Sequence, residues 1–239
     1  ERPENPSPAE LASAAAALSR QRVKAAPTAI AIATAWRGSA ASSDATPRDL
    51  ALAAWAFAKI HGGAPELAAA CAELLEEAAA RPASALSGQQ LSNLLWAAAT
   101  VLQPRAAGRL VKAASGEGVG MGMCQWTFKS QEASNLLWAF ARLPDSMDVR
   151  PGQANPLLTT ACQALARAVD DLPVKGVGAG SSISSGKGSD WSTLRPQHVA
   201  SAAWAVAQLL PEAAGRAAAL GAAGGELSAR PWAIEVTPT

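Results

Sequence analysis

One apolar phrase is written into this chain five times. Aligned on its tryptophan, it reads TPRDLALAAWAFAKI about Trp55, SGQQLSNLLWAAATV about Trp96, KSQEASNLLWAFARL about Trp138 and RPQHVASAAWAVAQL about Trp204. A fifth copy, SPAELASAAAALSRQ, fits with Ala16 in the tryptophan slot. The slots lie 39, 41, 42 and 66 residues apart. A period of about 40 residues marks an array in which each repeat is one supersecondary unit that buries its apolar face only by stacking on its neighbours. The last interval is longer because it holds GVGAGSSISSGKGSD, Gly176 to Asp190, next to an extended loop. That insert is rich in Gly and Ser and gains too little by burial to offset its ordering entropy, so it is expected to protrude as a mobile loop.

Each copy opens as a helix does. Nine residues before the tryptophan slot stand Ser7, Thr46 and Ser87, all good N-caps. Lys129 and Arg195 hold that slot in the last two copies, where Ser130 is an alternative cap for the first of them. Pro8, Pro47 and Pro196 follow at the first helical position, where a missing N–H costs nothing. Three residues after the cap slot come Glu10, Asp49, Gln90 and Glu132, the partners of a capping box, with His198 in the fifth copy. The helices are expected to stop near HGGAP, LQPR, LPDS and LLPEAAG, where Gly or Pro breaks them.

A second helix is expected between these first ones. APELAAACAELLEEAAARP and NPLLTTACQALARAVDDLP are the clear cases; PTAIAIATAWRGS, PRAAGRLVKAAS and PEAAGRAAALGAA are shorter. Each unit is then a helical hairpin, and the units run near 7–45, 46–86, 87–128, 129–194 and 195–236. Composition agrees with an all-α fold: Ala, the best helix former, dominates, Tyr is absent and only three Phe are present. The expected architecture is a single all-α array, an α-solenoid of about five helical hairpins. The chain opens on Glu1 rather than Met, and its last residues, Thr237 and Pro238, repeat the cap and first helical position of a further copy. The array is therefore expected to continue past the C-terminus, and any targeting peptide to lie outside this sequence.

Twenty Lys and Arg face nineteen Asp and Glu, for a net charge of +1. A free nucleic-acid binder held by long-range electrostatics is usually more basic, so any positive surface here has to be local. The three cysteines, Cys71, Cys124 and Cys162, are too few and too scattered for a disulfide framework or a zinc site, which fits a reducing compartment. No apolar run reaches the length of about 18 residues that reads as a membrane span.

The phrases SPAEL, SNLLWAAATVL and SNLLWAFARL resemble the octotricopeptide repeat, whose recurring phrase is close to Pro-Gln-Glu-Leu-Ala-Asn-Leu-Leu-Trp-Ala-Leu-Ala-Lys-Leu. The likeness covers five copies, closest in the units of Ala16, Trp55, Trp96 and Trp138 and looser about Trp204. The chain departs from that pattern in carrying Ala16 for Trp and in its Gly/Ser insert, and it lacks the Pro-Pro-Pro-Glu-Trp signature of well-formed copies. The resemblance implies a right-handed α-solenoid that binds RNA in mitochondria or chloroplasts, chiefly of green algae. It also implies one of two settings: a structural protein of a mitochondrial ribosome that holds rRNA beside other ribosomal proteins, or a free factor for transcript maturation, stability or translation. A protein-binding scaffold is the third reading.

At about 100° per residue, the slots five, two and one before the tryptophan and two and five after it share one face. Leu91, Leu94, Leu95, Ala98 and Val101 hold them in one copy and are expected in the core. The slots seven and three before and four after lie near the tryptophan direction. They read Arg48, Leu52, Lys59, then Gln89, Asn93, Thr100, then Gln131, Asn135, Arg142, then Gln197, Ser201, Gln208. Amides that read base edges and cations that meet phosphate are what a one-base-per-repeat RNA reader needs. A polar stripe is equally what any solvated helix face carries, so the pattern alone leaves both readings open. The tryptophans read as packing anchors between repeats rather than base-stacking platforms.

Two further basic groups are candidates for phosphate contact: Arg20, Arg22 and Lys24, and a second-helix row of Arg105, Arg109 and Lys112. The acidic helix of Glu73, Glu76 and Glu77 is expected to face away from RNA. SGEGVGMG follows a helix rather than a strand, and in GKGSD no Ser or Thr directly follows Lys187, so neither is a phosphate-binding loop. His61 sits at a helix end, where the dipole favours a cation. Neither His61 nor His198 has a Cys, Ser or carboxylate at triad or metal spacing. The expectation is a chain without catalytic residues, cofactor, metal or small-molecule substrate.

Overall fold

The computed structural model describes residues 6–21, 26–38, 44–115, 126–143, 155–170 and 196–209. Among the described residues regular structure is entirely helical. The first helices of the units are α1 (Pro8–Arg20), α3 (Pro47–Ile60), α5 (Gly88–Thr100), α7 (Ser130–Arg142) and α9 (Pro196–Leu209). The second helices are α2 (Ala26–Gly38), α4 (Pro65–Ala79), α6 (Pro104–Ser115) and α8 (Pro156–Asp170). The expected partner of α9, PEAAGRAAALGAA, lies outside the described residues, as does the Gly176–Asp190 insert.

The capping boxes form as the sequence implies. Ser7 N–H donates to Glu10 Oε2 at 2.8 Å, and Ser7 Oγ accepts from Glu10 N–H. Thr46 with Asp49 and Ser87 with Gln90 repeat the arrangement. The Ser7 N–H, and then the Ser7 hydroxyl, which also donates to Glu10 Oε2 at 2.8 Å, hold the Glu10 carboxyl below its ordinary pKa. In α7 the cap is Lys129, whose N–H donates to Glu132 Oε2 at 3.0 Å, and Ser130 is the first helical residue rather than the alternative cap.

The helix stops differ in kind. α3 ends on Gly62 and Gly63, both at positive φ, as Gly permits. α5 ends on Leu102, at φ 54°, while Gln103 N–H donates back to Ala98 O at 2.8 Å. That is a Schellman turn built without glycine. Pro104 therefore does not break α5; it opens α6.

Packing follows the repeat. Each first helix lies against the next: α1 on α3, α3 on α5, α5 on α7 and α7 on α9. The second helices neighbour one another in the same order, and each packs on the first helix of its own unit. The result is a repeat-like, two-layered helical architecture, with one core running from Leu11 to Ala205 between the layers. Leu91, Leu94, Leu95 and Ala98 are completely buried and Val101 nearly so, as the helical angles require. Each such leucine contributes about 1.5–3 kcal/mol of burial. The α7–α9 contact is made although 66 residues separate their tryptophans, so the row of first helices closes across the insert. Ser134 Oγ joins the two, donating to His198 O at 3.0 Å.

Candidate nucleic-acid interface

Successive first helices pack side by side, and Trp96 of α5 meets its equivalent Trp138 of α7, so equivalent slots fall in rows. Of the stripe residues, Arg48, Lys59, Gln89, Gln131, Arg142 and Gln208 are exposed. Asn93, Asn135 and Ser201 are half-buried, and Gln197 falls in the first turn of α9. The row four residues after the tryptophan slot begins with Arg20, at the last turn of α1. Arg20 thus belongs to the stripe; its cluster partners Arg22 and Lys24 lie outside the described residues. The signal was present in the alignment on Ala16, which places Arg20 in the slot of Lys59. The Lys59 ammonium is held below the usual lysine range, first by partial burial and then by the Arg20 charge.

The tryptophan row runs beside the cations. Trp55, Trp96, Trp138 and Trp204 are half-buried and pack against the common core, in keeping with an anchoring role. Trp96 and Trp138 meet across α5 and α7 with ring centroids 6.1 Å apart and planes tilted by 32°. Lys59 Nζ stands 4.8 Å from the Trp55 ring centroid, and the Arg142 guanidinium carbon is 5.8 Å from that of Trp138. Such cation–π pairs are worth about 0.5–1 kcal/mol at exposed sites. Each holds a long cation on the face that its helix presents, one turn after the ring.

Charge divides between the layers. The carboxylates of the first helices, Glu10, Asp49 and Glu132, are all engaged in caps. Among the described residues Arg20, Arg48, Lys59 and Arg142 form no ion pair. The second layer is different, because its cations and acids meet. Arg37 of α2 pairs with Glu73 of α4 at 2.7 Å, and Arg81 pairs with Glu77 at 2.7 Å. Arg109 of α6 pairs with Glu76 of α4. The basic face of α6 and the acidic face of α4, separate in the sequence, are thus joined. Arg105 and Lys112 remain exposed and line a shallow depression with Pro104, Gly108 and Arg109. The stripe and the second-helix row lie on different layers and are not one site.

The remaining polar groups form no second constellation. His61 closes α3 with its Nδ1 accepting from Gly63 N–H at 3.1 Å. Cys71 is buried, its thiol donating to Ala54 O at 3.4 Å, and burial pushes it up to about 12. Among the described residues no group of three or more His, Cys, Asp or Glu is placed to hold a metal ion, and no helix is long and apolar enough to cross a membrane. No protein-family model, curated protein or solved structure matches the chain.

Proposed function

We propose that the chain is a non-catalytic RNA-binding protein, a right-handed α-solenoid of about five hairpins that holds RNA along its first helices. The observation that carries this reading is the pairing of rows on one layer. Among the described residues, cations free of carboxylate partners stand beside half-exposed tryptophans and amides on successive first helices. Phosphate is drawn to the cations, and the amides have the hydrogen-bonding groups that base edges match. The second layer supports the rival row less well, since Arg109 is already paired with Glu76.

A near-neutral chain with a local basic row suits a component of a larger ribonucleoprotein. Together with the likeness to the octotricopeptide repeat, this favours a structural part of a mitochondrial ribosome that binds rRNA beside other ribosomal proteins. A free organellar factor acting on transcripts is the second reading, and it would retain RNA without cosedimenting with ribosomal subunits in high salt.

Two triple variants test the surface. Replacing Arg48, Lys59 and Arg142 by Ala should weaken RNA binding across sequences and lower the salt slope by about one unit for each phosphate no longer neutralised. Replacing Arg105, Arg109 and Lys112 should change it little. If only the second variant fails to bind RNA, the interface is the second layer. If crosslinking recovers no RNA from the intact chain, the protein-scaffold reading replaces this one.

A further inference from the structure

The rows are not uniform, and the irregularity falls at Trp96. Trp55 and Trp138 each carry the cation of the following turn, Lys59 and Arg142. In the unit between them that slot is Thr100, whose Oγ1 donates to its own helix at Trp96 O, 2.8 Å away. Among the described residues no cation lies over Trp96. Its ring is half-buried and meets Trp138 on the α7 side, with no matching ring contact to Trp55 on the α3 side. Asn93, one turn earlier on α5, is half-buried beside the same row.

Resting on the RNA-binding reading above, we infer that Trp96 is a base-stacking position for single-stranded RNA, flanked by Lys59 and Arg142 as phosphate contacts. Stacking on an indole needs an accessible face and tolerates any base, while the neighbouring cations neutralise the backbone on either side. The acids of this layer are occupied in helix caps, so the charge around the ring suits a polyanion better than a basic peptide. Trp96 thereby combines two roles. Its buried part anchors α5 against α7, and its exposed part receives a base.

The experiment compares the full chain with two variants, Trp96→Leu and Thr100→Arg, each checked for helicity and melting. The probes are an oligoadenylate of about twelve nucleotides and the same backbone made abasic. The intact chain should bind the oligoadenylate about tenfold more tightly than the abasic strand, with quenching of tryptophan fluorescence. Trp96→Leu should remove that preference. Thr100→Arg is the sharper variant, because it places a cation where Lys59 and Arg142 stand in the adjoining units and closes the face of Trp96. It should lose the preference and the quenching although it adds positive charge. If Thr100→Arg instead binds the oligoadenylate more tightly and keeps the preference, Trp96 is not a stacking position, and the RNA-binding reading stands without it. If the intact chain binds neither strand, both readings fall.

Discussion

Cys71 and Cys162 are each the seventh residue of their helices, α4 and α8, counted from the opening proline. Equivalent register does not give them equivalent chemistry. Cys71 is completely buried against α3, while Cys162 is exposed and its thiol is only pushed upward by partial burial. The thiolate is the reactive form, and a thiol raised to about 12 stays protonated at pH 8. In a Cys124→Ser background, iodoacetamide at pH 8 should label Cys162 at least about tenfold faster than Cys71, with mass spectrometry of the digested protein as the readout. Comparable rates would mean that α4 opens readily from the core. Gly88 is a second case in which position within the repeat misleads. The two preceding copies carry Pro8 and Pro47 in this slot and the next carries Ser130, yet a Cβ at Gly88 would lie 3.0 Å from Thr127 O and 3.2 Å from the Phe128 ring. The segment of Trp126 and Phe128, both buried, packs over the start of α5, and the repeat alone gives no hint of it.

At the scale of elements, the helix starts were legible because they are local. A Ser or Thr with an acid or amide three residues later satisfies two backbone donors, whatever the rest of the chain does. The core slots were legible for a similar reason, since helical angle alone sends Leu91, Leu94 and Leu95 to one side. The partners of the second helices were not. Glu76 and Arg109 are 33 residues apart, and their meeting depends on the rotation of α4 against α6, which packing sets and no repeated phrase records. The end of α5 was hidden as well, because Leu102 has none of the signals of a left-handed cap. An L-residue there costs roughly 1–2 kcal/mol relative to glycine, and the Leu102 side chain is 56% exposed, so it recovers little by burial. Leu102→Gly should therefore stabilise the protein by about 1 kcal/mol, seen as a rise of a few degrees in Tm by circular dichroism. A fall would show that the exposed leucine makes a contact worth more than its strained backbone costs.

At the scale of the whole molecule, the order of the first-helix row is what any extended interface depends on. An array of this kind is stabilised by contacts between neighbours, so an interruption in sequence matters only if it interrupts the stacking. The interval between Trp138 and Trp204 is 66 residues, yet α9 lies on α7 as α3 lies on α1. Ser134 reaches the backbone of His198, and Ala202 and Ala205 enter the common core. The contact between α7 and α9 is therefore made by residues of the two helices themselves. Removing those 15 residues shortens the connection between α8 and α9, and the entropy of loop closure changes only slowly with length. Deletion of Gly176–Asp190 should shift Tm by no more than about 2 °C and leave the helical signal unchanged. If the insert is instead part of the packed structure, deletion should lower Tm by many degrees and loosen α9 first. Hydrogen exchange in α7 and α9 distinguishes the two outcomes, because a row that closes on its own protects Ala202 and Ala205 in the deleted chain as it does in the intact one.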